Sequence, residues 1–334
     1  MKITVSFVVF AALSILFYGC NSDEIVNNNP PTTGSYEWSS TPVTFAPAYD
    51  VQVIDRNNYF LSTTIGLYKV TNNVPSLFTV NSSVFKAEAG YIYDDTYIVY
   101  KGRKVSDNKR QFMIYDNGAY TIYDMPDSSL SIPFFESRGK FYCAHYFFPN
   151  YYKFESGTFT SVPIAENHVA YFGKANGNIY LFAVVTSSFK FKIYRITEGV
   201  PVFIREESIN LNSSLQFLNN TIIKIDSPVE NVSYFSESGW INMFTLPPIT
   251  KNFFTIIEGE NANAYTVIRQ DTSFFFNAGR WNGTSYTQLA NIPSDINFNN
   301  TFYSVGSRFR DNTFYIMVND GIENRKIIKG TYRE

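Results

Sequence analysis

The stretch Gly34-Ser-Tyr-Glu-Trp-Ser-Ser-Thr-Pro42 decides the fold, because it is the first copy of a pattern that recurs along the chain. In each copy a glycine opens a short aromatic, strand-like run and a proline ends it. Later copies begin at Gly118, Gly157, Gly239 and Gly283. Another strand-like run precedes each later glycine, whereas none precedes Gly34. The first copy is therefore predicted to be an outer strand whose partner comes from the other end of the chain.

A second marker recurs with the same period. It is a turn residue followed by an aromatic or aliphatic run, and it begins at Asn58, Asp95, Gly139, Gly177, Asn220, Asn263 and Asn312. The period of about forty residues is the length of a four-stranded blade in a β-propeller.

We therefore predict an all-β fold, a seven-bladed β-propeller of four-stranded antiparallel blades over residues 35–334. The chain begins with an outer strand at Tyr36 and ends with a third strand over Arg325–Arg333. Pairing these two strands closes the ring through the N-terminal strand, which completes the last blade and removes two exposed strand edges. The strand count leaves six or eight blades open.

The second repeat shows its four strands most clearly. Alternation and turn residues predict strands over Val84–Tyr93, Tyr97–Lys101, Gln111–Asp116 and Tyr120–Met125. Asn117-Gly118 is the dipeptide of a two-residue hairpin turn. The segment Met113–Pro126 resembles a kelch repeat, in which Tyr-Asp precedes a turn and an aromatic residue and a proline follow. This resemblance implies a kelch-like propeller, although the kelch double glycine is missing.

The composition agrees with an all-β chain and excludes one class of partner. Of 334 residues, 18% are aromatic, with Phe 32 and Tyr 25, and only 17% are charged. Aromatic residues favour the pleated, half-buried surfaces of sheets. The formal net charge of -2 provides no basic field that would gather phosphates. Nucleic acid is therefore not an expected partner.

The first 34 residues are predicted to target the protein. Residues 1–19 contain an apolar run too short for a comfortable membrane span, which is typical of a cleaved signal peptide. Leu16-Phe-Tyr-Gly-Cys20 resembles a bacterial lipobox, and Asn21-Ser-Asp-Glu-Ile25 resembles the acidic export signal of lipoproteins of the Bacteroides and Flavobacterium group. These resemblances imply lipidation of Cys20, a flexible tether over residues 20–34 and an outer-membrane anchor facing the medium. An ordinary signal peptide with a chance cysteine is the alternative.

The sequence offers little for catalysis or metal binding. Its two histidines are His145, in a strand-like run, and His168, near the junction of two repeats. Cys143 lies in the same run as His145, and we expect it to remain unpaired with Cys20. We expect no metal and no cofactor, because metal sites on such folds need more imidazole or thiolate ligands.

Several acids lie near the first hairpin of their repeats. Two of them could form the carboxylate pair of a glycoside-cleaving site, but turn chemistry favours acids at the same positions. These acids are Asp55, Asp94, Asp95, Glu136, Glu258, Glu260 and Asp311.

A binding surface is the function that the sequence favours. The predicted loop Lys101–Arg110 carries five basic residues against one acid. We predict that it receives an acidic sugar or the carboxylates of a partner through Arg103, Lys104, Lys109 and Arg110. The neighbouring repeat adds the candidates Phe147, Phe148, Tyr151 and His168. The alternatives are a solvated hairpin tip and aromatic residues that pack within the sheet.

The leading hypothesis is a non-catalytic, surface-exposed binding propeller that contacts a glycan or an envelope or extracellular protein. It rests on the leader, the repeat and the lack of a catalytic constellation. One alternative is a polysaccharide-active hydrolase or lyase that uses carboxylates on a propeller face. Another is a structural subunit of an outer-membrane complex.

Overall fold

The computed structural model describes residues 35–43, 48–63, 66–78, 83–127, 130–131, 133–144, 148–185, 188, 190–208, 213–218, 220–226, 231–246, 251–261, 264–271, 276–291, 306–310, 313–319 and 325–333. The regular elements of these residues are all β-strands. No helix among them is long and apolar enough to span a bilayer. The predicted signal peptide and tether, with Cys20, lie outside the described residues.

The strands, numbered in chain order, have the following bounds. They are β1 (Ser35–Val43), β2 (Ala48–Val53), β3 (Asn58–Thr63), β4 (Gly66–Thr71), β5 (Val74–Phe78), β6 (Phe85–Asp94), β7 (Tyr97–Lys104), β8 (Arg110–Asp116), β9 (Ala119–Asp124), β10 (Phe134–Ser137), β11 (Lys140–Ala144), β12 (Phe148–Glu155), β13 (Thr158–Ala175), β14 (Asn178–Val185), β15 (Lys190–Thr197), β16 (Val200–Ser208), β17 (Ser213–Phe217), β18 (Ile222–Asp226), β19 (Asn231–Ser236), β20 (Gly239–Thr245), β21 (Lys251–Asn261), β22 (Ala264–Asp271), β23 (Phe276–Trp281), β24 (Tyr286–Asn291), β25 (Gly306–Arg310), β26 (Thr313–Asn319) and β27 (Arg325–Arg333).

The described strands form antiparallel sheets of the kind expected for propeller blades. Five sheets have four strands each, and the sixth has seven, in the order β10 to β16. The prediction of four-stranded antiparallel blades is therefore confirmed, but the described strands form six blades, not seven. The reason is β13, whose 18 residues pair with β12 near Thr158 and with β14 near Ala175. Two predicted repeats thereby become one sheet, and the predicted junction near His168 is part of a strand.

The chain divides into two compact units. One unit, over Ser129–Pro248, contains the seven-stranded sheet and the sheet β17 to β20. The other unit combines the described residues between 35 and 127 with those between 251 and 333. It contains the sheets β2 to β5, β6 to β9 and β21 to β24, and the sheet in which β1 joins β25, β26 and β27.

Alternate residues of the middle strands pack against two different neighbouring sheets. In β3, Tyr59 and Leu61 belong to a core with Tyr315 and Ile327 of the β25 to β27 sheet. Phe60, which lies between them, packs instead against the β6 to β9 sheet. Successive side chains of a strand point to opposite faces, so both faces of this sheet are covered. Burial of both faces explains why the sequences of the middle strands are nearly continuous apolar runs.

The N-terminal strand pairs with the C-terminal strand. β1 runs antiparallel to β27 with Tyr36 opposite Tyr332 and Trp38 opposite Gly330. This is the pairing that the sequence predicts for the orphan first copy of the repeat. The Arg333 guanidinium adds two hydrogen bonds to the Glu37 carboxylate, at 2.9 and 2.7 Å.

The strands predicted in the second repeat agree closely with β6, β8 and β9. β8 and β9 begin and end within one residue of their predicted bounds, as does β6. β7 instead continues three residues beyond the predicted end at Lys101. Asn117 and Gly118 both have positive φ, at 47° and 91°, as a two-residue hairpin of the predicted type requires.

The pairing of Trp38 with Gly330 gives a test of the N-terminal strand. A Cβ at residue 330 would lie 2.6 Å from Cζ3 of Trp38, so we expect Gly330→Ala to lower the free energy of unfolding by about 1–3 kcal/mol. In a Trp38→Ala background the clash is gone, and the cost should shrink measurably in a double-mutant cycle by chemical denaturation. Combining Gly330→Ala with Leu77→Ala, at an exposed site of β5, should instead be additive. Additivity of the first pair would contradict this packing.

Candidate functional site

The basic segment of the second repeat is a short hairpin turn with charged strand ends. Arg103 and Lys104 end β7, and Arg110 begins β8. The connection is therefore residues 105–109 rather than the predicted loop Lys101–Arg110. The prediction was wrong here because three residues of that segment extend the ladder, with Arg103 directly opposite Arg110. The backbone positions of Arg103, Lys104 and Arg110 are consequently set by the strands β7 and β8.

Glu88 holds the two arginines together. Arg103 donates from Nε to Glu88 Oε1 at 2.7 Å, and Arg110 donates from Nη1 to Glu88 Oε2. The three side chains keep 35%, 28% and 33% of their surface exposed for Arg103, Arg110 and Glu88 respectively. The carboxylate thus gives one oxygen to each guanidinium while remaining accessible to solvent.

A β-bulge places Glu88 in this position. Ala87 pairs with Gly102 and Ala89 pairs with Lys101, so Glu88 is an extra residue of β6. Bulges of this kind redirect a side chain out of the normal alternation. Gly102 permits the bulge, because a Cβ there would lie 2.2 Å from the Lys86 carbonyl oxygen.

Two further ion pairs involve the lysines of this hairpin. Lys104 Nζ is 3.3 Å from Asp107 Oδ2, and Lys109 Nζ is 2.5 Å from Asp124 Oδ2. The Lys109 backbone N–H and then the Lys104 ammonium lower the pKa of Asp107. Hydrogen bonds from Gln111 and then from Lys109 lower the pKa of Asp124, and Asp124 in turn raises the pKa of Lys109. Asp107, Asp124 and Lys109 are therefore charged at neutral pH.

Two exposed valines adjoin the charges. The Val105 N–H donates to the Val84 carbonyl at 2.9 Å, one step beyond the last pair of the β6–β7 ladder. Their side chains are 43% and 51% exposed for Val84 and Val105. We call this set the charged rim, and its members are Val84, Glu88, Arg103, Lys104, Val105, Asp107, Lys109, Arg110 and Asp124.

The sequence predicts the four cations of the charged rim but not its valines or the acids Glu88 and Asp124. Asp124 lies outside the basic segment, on the strand opposite Gln111. Glu88 lies in β6, 15 residues before Arg103. A charged residue inside the predicted strand Val84–Tyr93 is the signal that could have drawn attention to Glu88.

Tyr151, one of the candidate contact residues, lies in the core. Its side chain is fully buried, and its hydroxyl donates to the Gly199 carbonyl at 2.8 Å. Tyr151 therefore packs within the sheet, which is the alternative that the sequence analysis left open for the aromatic candidates. The backbones of Phe148 and His168 lie opposite each other. Their side chains, together with Phe147 and His145, lie outside the described residues.

Several of the turn acids have structural partners. The Asp55 carboxylate accepts the backbone N–H groups of Asn57 and Asn58, and Asp94 accepts the N–H and hydroxyl of Thr96. Glu136 pairs with Lys140 at 3.0 Å. Asp95 lies 3.8 Å from Lys69. The side chains of Glu258 and Glu260, and Asp311, lie outside the described residues.

Metal-binding groups do not assemble in the described part of the chain. No group of three or more His, Cys, Asp or Glu residues there could hold a metal ion. Cys143 is a buried residue of β11, a strand that the run around it predicts.

The sequence matches no family model and no curated protein. Solved structures match it instead. A structure of YCF48 bound to D1 peptide has a TM-score of 0.56 at 12% identity, covering 93% of this chain and 98% of that chain. The structure of YCF48 from Cyanidioschyzon merolae has a TM-score of 0.56 at 10% identity, covering 88% and 98%. BBS1N in complex with ARL6DN has a TM-score of 0.53 at 9% identity, covering 88% and 97%.

The chain has a β-propeller fold. At these identities the likeness carries the fold alone, and the six antiparallel sheets of the described residues agree with it. In this propeller the charged rim lies at one end of the β6 to β9 blade, where the strands leave the sheet. Strand ends and loops are where scaffolds of this kind display functional side chains.

Gly102 provides a stability test of the charged rim. We expect Gly102→Ala to reduce the free energy of unfolding by about 1–3 kcal/mol, because the new methyl group meets the Lys86 carbonyl rather than a flexible side chain. Ala119→Ser adds one atom at an exposed site of β9 and should change stability by less than about 0.5 kcal/mol. Urea denaturation measures both, and equal effects would show that the bulge tolerates a side chain at residue 102.

Proposed function

We propose that this propeller is a non-catalytic binding protein that docks a protein partner through the charged rim. The observation that supports this is a set of four cations and three carboxylates with two exposed valines at the end of the same blade. Protein interfaces combine an apolar centre with a polar, hydrogen-bonded rim in this way. The half-exposed ion pairs supply orientation and specificity, and the valines supply apolar area.

A protein partner is a better match than a glycan. Stacking on aromatic rings is one way to hold a sugar, but Tyr151 is buried and unavailable for that role. Among proteins of similar fold, YCF48 is seen bound to a D1 peptide and BBS1N is seen in complex with ARL6DN. Those partners belong to those proteins, and here they support only the idea that a propeller surface docks polypeptide.

A binding role also agrees with how the acids are used. Asp55 and Asp94 accept turn hydrogen bonds, and Glu136 is paired with Lys140. No described observation favours the polysaccharide-active alternative. We accordingly propose no catalytic residue.

The cellular setting is part of the same proposal. The lipobox-like Leu16–Cys20 and the acidic Asn21–Ile25 support a lipoprotein held in the outer membrane and facing the medium. The kelch-like segment and the β1–β27 pairing support a ring closed by the N-terminal strand. A fixed role as a structural subunit of an outer-membrane complex would use the same charged rim.

The exposed lysines test docking with little risk to folding. We expect Lys104→Glu/Lys109→Glu to lose at least about tenfold in affinity for a protein captured from cell envelopes, because the charge of the rim is reversed. The control Lys190→Glu/Lys192→Glu makes the same change in net charge on β15 and should bind like the original protein. Affinity is measured by biosensor with the captured protein and the full chain. Equal binding by both variants would argue against the charged rim as the docking site.

The anchor is tested by fractionation. We expect Cys20→Ser to move the protein from the membrane fraction to the soluble fraction and to abolish incorporation of labelled fatty acid, because lipid chains would be the main membrane attachment. Cys143→Ser, in β11, should keep both the label and the membrane location. Retention of Cys20→Ser in the membrane fraction would contradict the lipoprotein proposal.

A further inference from the structure

The arginine pair of the charged rim is an unusual arrangement for a sheet. Arg103 and Arg110 lie directly opposite each other on β7 and β8. Like charges at directly opposed positions destabilise a sheet unless an anion compensates them. The compensation here comes from a single carboxylate, Glu88, which is shared between the two guanidinium groups.

The backbone is shaped to deliver that carboxylate. Glu88 is the extra residue of a bulge, and Gly102 leaves the space that the bulge requires. A bulge that aims one acid at two arginines, at the accessible end of a blade, is a built anion-binding geometry. In it, Glu88 stands where the carboxylate of a ligand would stand.

We propose that Arg103 and Arg110 form a carboxylate-binding site, which Glu88 fills in the free protein and from which an acidic segment of the protein partner displaces it. This inference rests on the proposed function and adds the chemistry of the partner to it. The exchange replaces one carboxylate by another, so the arginines keep their charge-assisted hydrogen bonds throughout.

Exposure makes the exchange feasible. Each of the three side chains retains between 28% and 35% of its surface in contact with solvent. Ion pairs at such exposure contribute little to stability, so releasing Glu88 costs the fold little. Because Glu88 belongs to the chain, its local concentration is high, and an external carboxylate must bring additional contacts to compete.

The surroundings of the site supply those contacts. Lys104 and Lys109, each paired with an acid, lie nearby, and the charged rim as a whole has four cations against three carboxylates although the protein has a net charge of -2. Val84 and Val105 expose apolar surface beside them. A peptide segment that combines two or more carboxylates with an apolar side chain complements this set. A polyuronate glycan shares the carboxylate but not the apolar group.

The experiment removes the internal carboxylate and adds an external one. The probe is a fluorescein-labelled peptide of six glutamates and one leucine, and its binding to the full chain is followed by fluorescence anisotropy at low salt. We expect Glu88→Gln to bind the peptide about tenfold more tightly than the original protein, since the competing carboxylate is gone. The control Glu206→Gln removes the same charge from the Lys190–Glu206 pair on β15 and β16 and should not change the affinity. Equal affinities for the two variants would overturn the proposal.

Two further measurements keep the result interpretable if Glu88→Gln is unstable. Adding the peptide should raise the Tm of Glu88→Gln more than that of the original protein, because the ligand replaces the missing carboxylate. Glu88→Asp keeps the charge on a shorter arm, and its affinity should lie between the two. An unchanged Tm of Glu88→Gln at saturating peptide would count against the site, as would preference for an oligogalacturonate over the peptide.

The outcome is separable from that of the proposed function. If Lys104→Glu/Lys109→Glu loses the envelope partner but Glu88→Gln behaves like Glu206→Gln, docking at the rim stands and displacement of Glu88 is wrong. If Glu88→Gln gains peptide affinity and the gain disappears on adding Arg103→Gln and Arg110→Gln, the carboxylate site stands even where no envelope partner depends on the lysines.

Discussion

Burial of both faces of the middle strands is the constraint on which the rest of this propeller depends. Tyr59 and Leu61 pack against one neighbouring sheet and Phe60 against another, so no residue in the middle of β3 is free to serve a ligand. The same holds in β14, where Leu181 and Phe182 belong to two different cores. Among the described residues, exposed side chains are therefore found mainly at strand ends, on outer strands and in turns. The charged rim lies at such strand ends.

The high tyrosine content follows from the same constraint. A buried tyrosine fills apolar volume and still needs a partner for its hydroxyl. Tyr315 donates to the Arg56 carbonyl at 2.8 Å and Tyr180 to the Glu237 carboxylate at 2.9 Å, each at a turn of another sheet. Burial raises the pKa of Tyr180 to about 12, with Glu237 contributing in the same direction. These hydroxyls stay protonated at neutral pH and can donate to turns of the neighbouring sheets.

The sequence predicts the fold well because the repeat is local and its markers are turn residues. The pairing of Tyr36 with Tyr332 follows from an outer strand that lacks a partner, and the structure shows it. The blade number could not be predicted, since nothing in Thr158–Ala175 marks one long strand. At the charged rim, the four cations could be predicted because they lie in one short basic segment of the sequence. The role of Glu88 could not, because it depends on a one-residue bulge that no alternation pattern shows.

Exposed apolar residues also lie on outer strands, and the edges of those strands argue against docking there. β5 carries Val74 and Leu77, and β16 carries Val200 and Phe203. In a two-residue hairpin, the first residue of the second strand exchanges both backbone hydrogen bonds with the residue opposite it. The backbone of the next residue therefore points away from the sheet, toward the open edge. That residue is a proline in both strands, Pro75 and Pro201, and proline cannot donate to an added strand. β16 also shifts register opposite Ile193 and Tyr194, which further disrupts a flat edge. The edges of β5 and β16 therefore resist the addition of another strand. The charged rim instead presents accessible charged and apolar side chains.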